Sequence, residues 1–196
     1  MDARRAEVRR ATRETVIELR LNLDGVGEAR LQTGIGFLEH MLAALAFHAR
    51  FDLELTCEGD LLIDDHHTAE DCALALGQGL REALGDKRGI RRFGHAYAPL
   101  DESLARAVVD LSGRPAPSIH LGLAGPRLGD LAAENATHVL ISLANASAMA
   151  LHVDVLRGEN DHHRCEAAFK ATALALRQAV ARDGSLEAPS TKGSLD

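Results

Sequence analysis

Asp64-Asp65-His66-His67-Thr68-Ala69-Glu70 (residues 64–70) and Asn160-Asp161-His162-His163-Arg164-Cys165-Glu166 (residues 160–166) are two copies of one pattern, a capping residue followed by His-His-x-x-Glu. Working outward, each copy is preceded by a strand and, before that, by a helical stretch carrying one histidine. His40 precedes His66 by 26 positions and His138 precedes His162 by 24. One such string arises easily by chance. A second, with its upstream histidine at nearly the same lag, indicates a duplicated half of strand-helix-strand-helix type, about 95 residues long.

The periodicities support this. Ile17, Leu19, Leu21 and Leu23 alternate with Val16, Glu18, Arg20 and Asn22, which predicts a half-buried strand over 15–23, turned by Asp24-Gly25. Leu38, Met41, Leu42 and Leu45 recur at helical spacing within 33–49. Phe51, Leu53 and Leu55 alternate in a second strand, and Asp64 or Asp65 caps a helix to about Leu84 that Gly85 and Gly89 end. The second series reads as strands over 104–111 and 119–123, a helix over 131–148, a strand at Leu151, Val153 and Val155, and a last helix capped by Asn160 or Asp161 and reaching about Ala181. The tail 185–196, SLEAPSTKGSLD, has no core pattern and reads from composition as a disordered end.

The chain has 196 residues, 46% apolar and 26% charged, which suits one globular unit and excludes a disordered chain. Its net charge of −7 argues against a nucleic-acid partner. No apolar run reaches the ~20 residues of a membrane span, and the start meets charges rather than a signal segment, so a cytoplasmic protein is expected. Three widely spaced cysteines fit a reducing compartment and core positions better than metal ligation. Gly34-Ile35-Gly36 lacks the following glycine of a dinucleotide fingerprint. The outlying number is ten histidines, against one Tyr and no Trp.

At a helix start, the first His and the Glu of each motif are i,i+4 and the second His and the Glu are i,i+3, so imidazole and carboxylate meet on one face. Adjacent histidines point about 100° apart, so one motif can serve two sites. The candidate ligands are His40, His66, His67, Glu70, His138, His162, His163 and Glu166. Imidazole plus carboxylate without thiolate suits Mn, Fe, Co or Zn, and the residues alone do not choose among them. His48 lies about 80° around the helix from His40 and borders the same pocket, whereas His95, His120 and His152 read as ordinary residues. Arg91, Arg92, Arg114 and Lys192, set beside Gly, Ser or Pro in an acidic chain, suit recognition of one phosphate. Two other chemistries use similar ligands: a dinuclear metallohydrolase acting on a small phosphorylated substrate, and a metal-storage cage.

The strings TGIGFLEHML, FDLELTCEGD, DDHHTAED, RFGHAYAPLDE, DLSGRP, NDHHRCEAAFKA and PSTKG together resemble imidazoleglycerol-phosphate dehydratases over nearly the whole chain. Glu39 departs from the Asp more usual there. The resemblance implies an α+β fold, a tandem duplication with two four-stranded sheets and paired helices (ribosomal protein S5 domain 2-like). It divides the chain into half-repeats 1–92 and 93–187 and a substrate-closing tail 188–196. It implies two Mn²⁺ per active site on the eight ligands above, and trimers assembling into a 24-mer with shared sites. Substrate contacts fall on Glu14, His40, His48, Arg92, Arg114, Lys170, Ser190 and Lys192. It also implies dehydration of D-erythro-imidazole-glycerol 3-phosphate to imidazole-acetol phosphate, through a diazafulvene-like form of the substrate's ring. Glu14 is then the expected acid/base, with Glu70 and Glu166 sharing proton transfer.

Overall fold

Ile17, Leu19 and Leu21 are fully buried while Glu18 and Arg20 face outward, and this alternation sets β2 (Thr15–Asn22) at the centre of a sheet. The computed structural model describes residues 4–185, 187–191, 193 and 195. The first sheet runs β1 (Arg5–Ala11), β2, β4 (Asp52–Gly59), β3 (Ala29–Gln32). β3 is parallel to β4, and helix α1 (Gly36–Ala49) forms the crossover between them. The second sheet repeats the plan: β5 (Phe93–Leu100), β6 (Ser103–Asp110), β10 (Ala150–Arg157), β7 (Ala116–His120), with β7 parallel to β10. Helix α3 (Ala133–Ala146) makes the matching crossover, and a short hairpin of β8 (Arg127–Leu128) and β9 (Leu131–Ala132) precedes it.

Each half ends in a longer helix, α2 (His66–Leu84) and α4 (Asp161–Ala179). α2 lies on β1 and β2, and α4 on β5 and β6. The helices then pair across the halves, α1 with α4 and α2 with α3, so the core lies between two sheets with the helices inside. Small residues permit this closeness. Gly77 of α2 lies where an added Cβ would stand 2.6 Å from Ala146 Cβ and 2.7 Å from the Leu143 carbonyl oxygen of α3. At Gly94 of β5 a Cβ would overlap the Ala175 carbonyl of α4.

Differences from the sequence reading have local causes. β5 went unread because its buried side is Gly94, Ala96 and Ala98 while its exposed side holds Phe93, His95 and Tyr97. Apolar size is inverted there because α4 comes so close. β1 went unread because only Ala6 and Val8 point inward among three arginines and a glutamate. The short β3 was also missed. β7 covers 116–120 rather than 119–123, because its partner β10 pairs from Ala150 with Ala116. α3 spans 133–146 rather than 131–148, since Leu131 and Ala132 belong to the hairpin, and α4 stops at Ala179 rather than Ala181. The tail residues that are described are not free of the body. Arg92 Nη1 donates to the Pro189 carbonyl at 2.9 Å, Lys87 Nζ to the Leu195 carbonyl at 3.4 Å, and Leu195 is buried. Among the described residues, no helix is long and apolar enough to cross a membrane.

Candidate metal centre

The helix entries are capped reciprocally. α1 and α3 begin after Ile35 and Ala132, which have no side-chain cap. Asp130, in the β8–β9 turn of the second half, accepts from Gly36 N at 2.6 Å and Phe37 N at 2.9 Å, closing the start of α1. Asp65 of the first half accepts from Ala132 N at 2.5 Å, closing the start of α3. The α2 entry is held by Asp64 instead, through His66 N at 2.8 Å. Asn160 caps α4 through His162 N and His163 N. Glu39 folds back on the loop before α1, accepting from Thr33 N and Gly34 N, so its longer side chain does not enter the site.

These entries bring the two motifs and the two upstream histidines into two trios. In one, His40 Nε2 and His162 Nε2 each lie 3.1 Å from Glu166 Oε2. In the other, His138 Nε2 is 3.1 Å from Glu70 Oε1, and His66 Nε2 is 3.7 Å from Glu70 Oε2, with the two rings stacked at 5.0 Å. Within each trio the candidate donor atoms lie within 4.8 Å of one another. Each trio draws on both halves: His40 meets His162 and Glu166, and His66 and Glu70 meet His138.

His67 and His163 stand outside the trios, each with its own carboxylates. Asp60 Oδ2 accepts from His67 Nδ1 at 3.0 Å, and Glu14 Oε1 is 3.8 Å from His67 Nε2. Glu102 Oε2 accepts from His163 Nδ1 at 2.8 Å, and Asp101 is 3.8 Å from its Nε2. These hydrogen bonds raise both imidazoles above their ordinary pKa. Glu102 is held far below the carboxylate range by the backbone N–H of Asn160, His163 and the backbone N–H of Glu159.

The trios differ in their surroundings. Lys170 Nζ sits 2.6 Å from Glu166 Oε1. Burial alone would raise Glu166, but hydrogen bonds from Lys170, His40 and His162 hold it at about 2. His48 lies in the same field, lowered first by burial and then by the Lys170 charge. The duplicated positions near Glu70 are Leu74 and Ala146, so these groups occur on one side only. Among the other expected site residues, Glu14 is half-exposed in the β1–β2 turn. Arg92 donates to Asp110 at 2.7 and 3.1 Å, and Arg114 Nη1 to the Ser112 carbonyl at 3.4 Å. Ser190 N donates to the Ala188 carbonyl, and Lys192 lies outside the described residues. Sequence reasoning missed Asp60, Glu102 and Asn135. The first two follow no shared spacing, and Asn135 has phenylalanine at its duplicated position.

A family model described as imidazoleglycerol-phosphate dehydratase matches residues 33–176. A relative of that name from Zymomonas mobilis is 54% identical over 97% of this chain and 98% of its own length. The chain belongs to the imidazoleglycerol-phosphate dehydratase family. The Saccharomyces cerevisiae dehydratase is 49% identical over the whole of both chains. The one from Phytophthora nicotianae is 57% identical over 98% of this chain, which spans 42% of that longer relative. Among solved structures, the Staphylococcus aureus dehydratase superposes with a TM-score of 0.82 at 34% identity, over 91% of this chain and 99% of its own. The Pyrococcus furiosus enzyme, solved in complex with (S)-C348, does so at 0.83 and 35%, over 96% and 100%. Both agree with two similar halves built of four-stranded sheets and paired helices. Imidazoleglycerol-phosphate dehydratases are hydro-lyases, and this chain is an enzyme of that class. Its family displaces the metallohydrolase and storage-cage alternatives.

Proposed function

We propose that this chain removes water from D-erythro-imidazole-glycerol 3-phosphate in histidine biosynthesis, giving imidazole-acetol phosphate, and that it does so with two Mn²⁺ per active site. The observation that carries the reading is the pair of His₂Glu trios, each with two Nε2 atoms and a carboxylate oxygen converging. The donor set fits: imidazole and carboxylate suit a hard to borderline divalent ion, and all three cysteines are buried away as free thiols. Bound manganese would supply positive charge at the substrate's imidazole and hydroxyls, where the reaction builds up negative charge without help from an adjacent carbonyl.

The chain's own residues do the rest. Each trio offers three donors, and His67 and His163, outside them, are the natural fourth ligands from a neighbouring copy. That incompleteness supports sites shared between copies, and the family resemblance supplies the form of the assembly, trimers joined into a 24-mer. Leu62 and Ile63, at 104% and 70% exposure, present apolar surface in the loop leading to His66 and His67. Glu14 takes the proton from the carbon next to the one that loses hydroxide. It is a half-exposed carboxylate close to His67 and belongs to neither trio. Glu70 and Glu166 hold the trios and share proton transfer as ligands that can shift. Lys170 and a neutral His48 lie beside the His40 trio and orient the anionic end of the substrate. Arg92, Arg114, Ser190 and Lys192 close over the phosphate, the Arg92–Pro189 hydrogen bond already tying that cation to the tail. A cytoplasmic location is part of the same reading.

The test is product analysis with metal-free and Mn²⁺-loaded protein, with the assembly sized in parallel. Loss of one water, dependent on Mn²⁺ and accompanied by growth of the assembly, is the expected result. Cleavage of the substrate into two fragments, or full turnover after chelation, overturns it.

A further inference from the structure

The duplicated trios face two different neighbours at one equivalent position. Three residues before the helix histidine stands Phe37 in one half and Asn135 in the other. The Phe37 and His162 rings pack nearly perpendicular, with centroids 5.2 Å apart. Asn135, buried in α3, instead has Oδ1 2.9 Å from His66 Nδ1 and Nδ2 3.1 Å from Asp65 Oδ2.

The direction of that chain of hydrogen bonds is fixed from its far end. The Asp65 carboxylate, already taking the Ala132 N–H, only accepts, so it must take the Asn135 NH₂. The Asn135 carbonyl then faces His66, and His66 must donate from Nδ1. Its lone pair is left on Nε2, the atom that faces Glu70 and His138. Asp60 and Glu102 likewise accept from Nδ1 of His67 and His163. Among the described residues, His162 Nδ1 has no hydrogen-bond partner. The carboxylate of its trio is also already held by the Lys170 ammonium, which an incoming cation must meet.

We propose that Asn135 is a positioning residue that fixes His66 in the Nδ1–H tautomer, so that the His66–Glu70–His138 trio is preset for a metal ion and takes it first. The His40–His162–Glu166 trio fills second. This rests on the dinuclear reading above. An outer-shell partner of this kind is worth about 10–100-fold in metal affinity.

Two measurements decide it. Mn²⁺ binding followed by the loss of the free-ion EPR signal is expected to show two classes of site in the wild type. Asn135→Leu or Asn135→Ala should weaken the tighter class at least tenfold and leave the weaker class within twofold. Equal classes in the wild type, or unchanged binding in both variants, overturns the proposal. The second measurement needs no ion: solid-state ¹⁵N spectra of histidine-labelled, metal-free protein, with the His66 signal assigned by its loss in His66→Gln. A proton on Nδ1 in the wild type that redistributes in Asn135→Ala is the expected result, and a proton on Nε2 in the wild type overturns it. Fewer than two Mn²⁺ per wild-type chain defeats the dinuclear reading and the filling order with it, and the nitrogen spectrum then decides the Asn135 lock by itself.

Discussion

Gly77 couples the fold to the site. It sits where α2, which carries His66 and Glu70, crosses α3, which carries His138. A Cβ there would stand 2.6 Å from Ala146 Cβ and 2.7 Å from the Leu143 carbonyl oxygen, whereas ordinary contact begins near 3.4 Å. Gly77→Ala therefore requires the helices to part by about 0.8 Å. One obstacle is backbone, so no side-chain rotation relieves it, and overpacking of this kind costs about 2–3 kcal/mol. The gain in helix propensity returns about 1 kcal/mol. The net loss of roughly 1–2 kcal/mol corresponds to a Tm lower by about 2–8 °C for a chain of this size. Glu70 is seven residues away, about 10 Å along the axis, so part of the displacement reaches the trio, and kcat should fall about two- to tenfold. Gly79→Ala is the internal control. Its Cβ would come closer than ordinary contact only to Leu19 Cδ2, at 2.9 Å, with Val8 Cγ2 and Leu21 Cδ2 at 3.6 and 3.7 Å, and a side-chain terminus can move. Thermal unfolding of metal-free protein at one fixed concentration, with steady-state kinetics on loaded enzyme, compares the two. A Gly77→Ala variant as stable as Gly79→Ala, with wild-type kcat, refutes the reasoning.

Other substitutions test separate parts of the structure. Glu14→Gln should abolish turnover with Mn²⁺ content kept, measured by product formation and metal analysis. Retained turnover would remove Glu14 from the acid/base role. Asp130→Ala strips two N–H groups at the start of α1 of their acceptor and should cost about 1 kcal/mol in urea unfolding, whereas Asp130→Asn should recover part of the loss. Asp24 is held at about 2, chiefly by its hydrogen bonds with Arg4. Because its folded pKa is depressed, its contribution is present above the unfolded value of 3.8 and fades as pH falls towards 2. The pair is partly exposed, so Asp24→Asn should be less stable than wild type by only about 1 kcal/mol at pH 7, with the gap closed near pH 2. A gap that persists at pH 2 would mean that packing around the pair matters more than its charge.

The regular parts of this molecule were open to sequence reading because one face is buried and one is wet. β2 alternates along its length and α1 carries Leu38, Met41, Leu42 and Leu45 on its inward side. The paired histidine strings were legible for a different reason: duplication printed the same string twice. Where geometry rather than hydropathy rules, the pattern failed. In β5, glycine and alanine are the buried residues because α4 leaves no room for more. Charge pairs on an exposed sheet face hid β1. The residues that hydrogen-bond these imidazoles were invisible, since Asn135, Asp60 and Glu102 come from a helix, a loop and a turn, and differ in type. The Phe37–Asn135 mismatch could be seen in the string, but nothing in sequence said that this position faces an imidazole.

The crosswise assembly makes neither half self-sufficient. A cut near residue 92 would yield two polypeptides, each with one complete His-His-x-x-Glu string and neither with a complete His₂Glu trio. Each would also lack the acid that closes its own crossover helix, because Asp65 and Asp130 serve the opposite half. Either half alone could assemble a His₂Glu trio only by borrowing a helix from another half. Carrying both halves on one chain keeps that exchange intramolecular and at fixed stoichiometry, and lets the equivalent positions hold different residues, Phe37 in one half and Asn135 in the other.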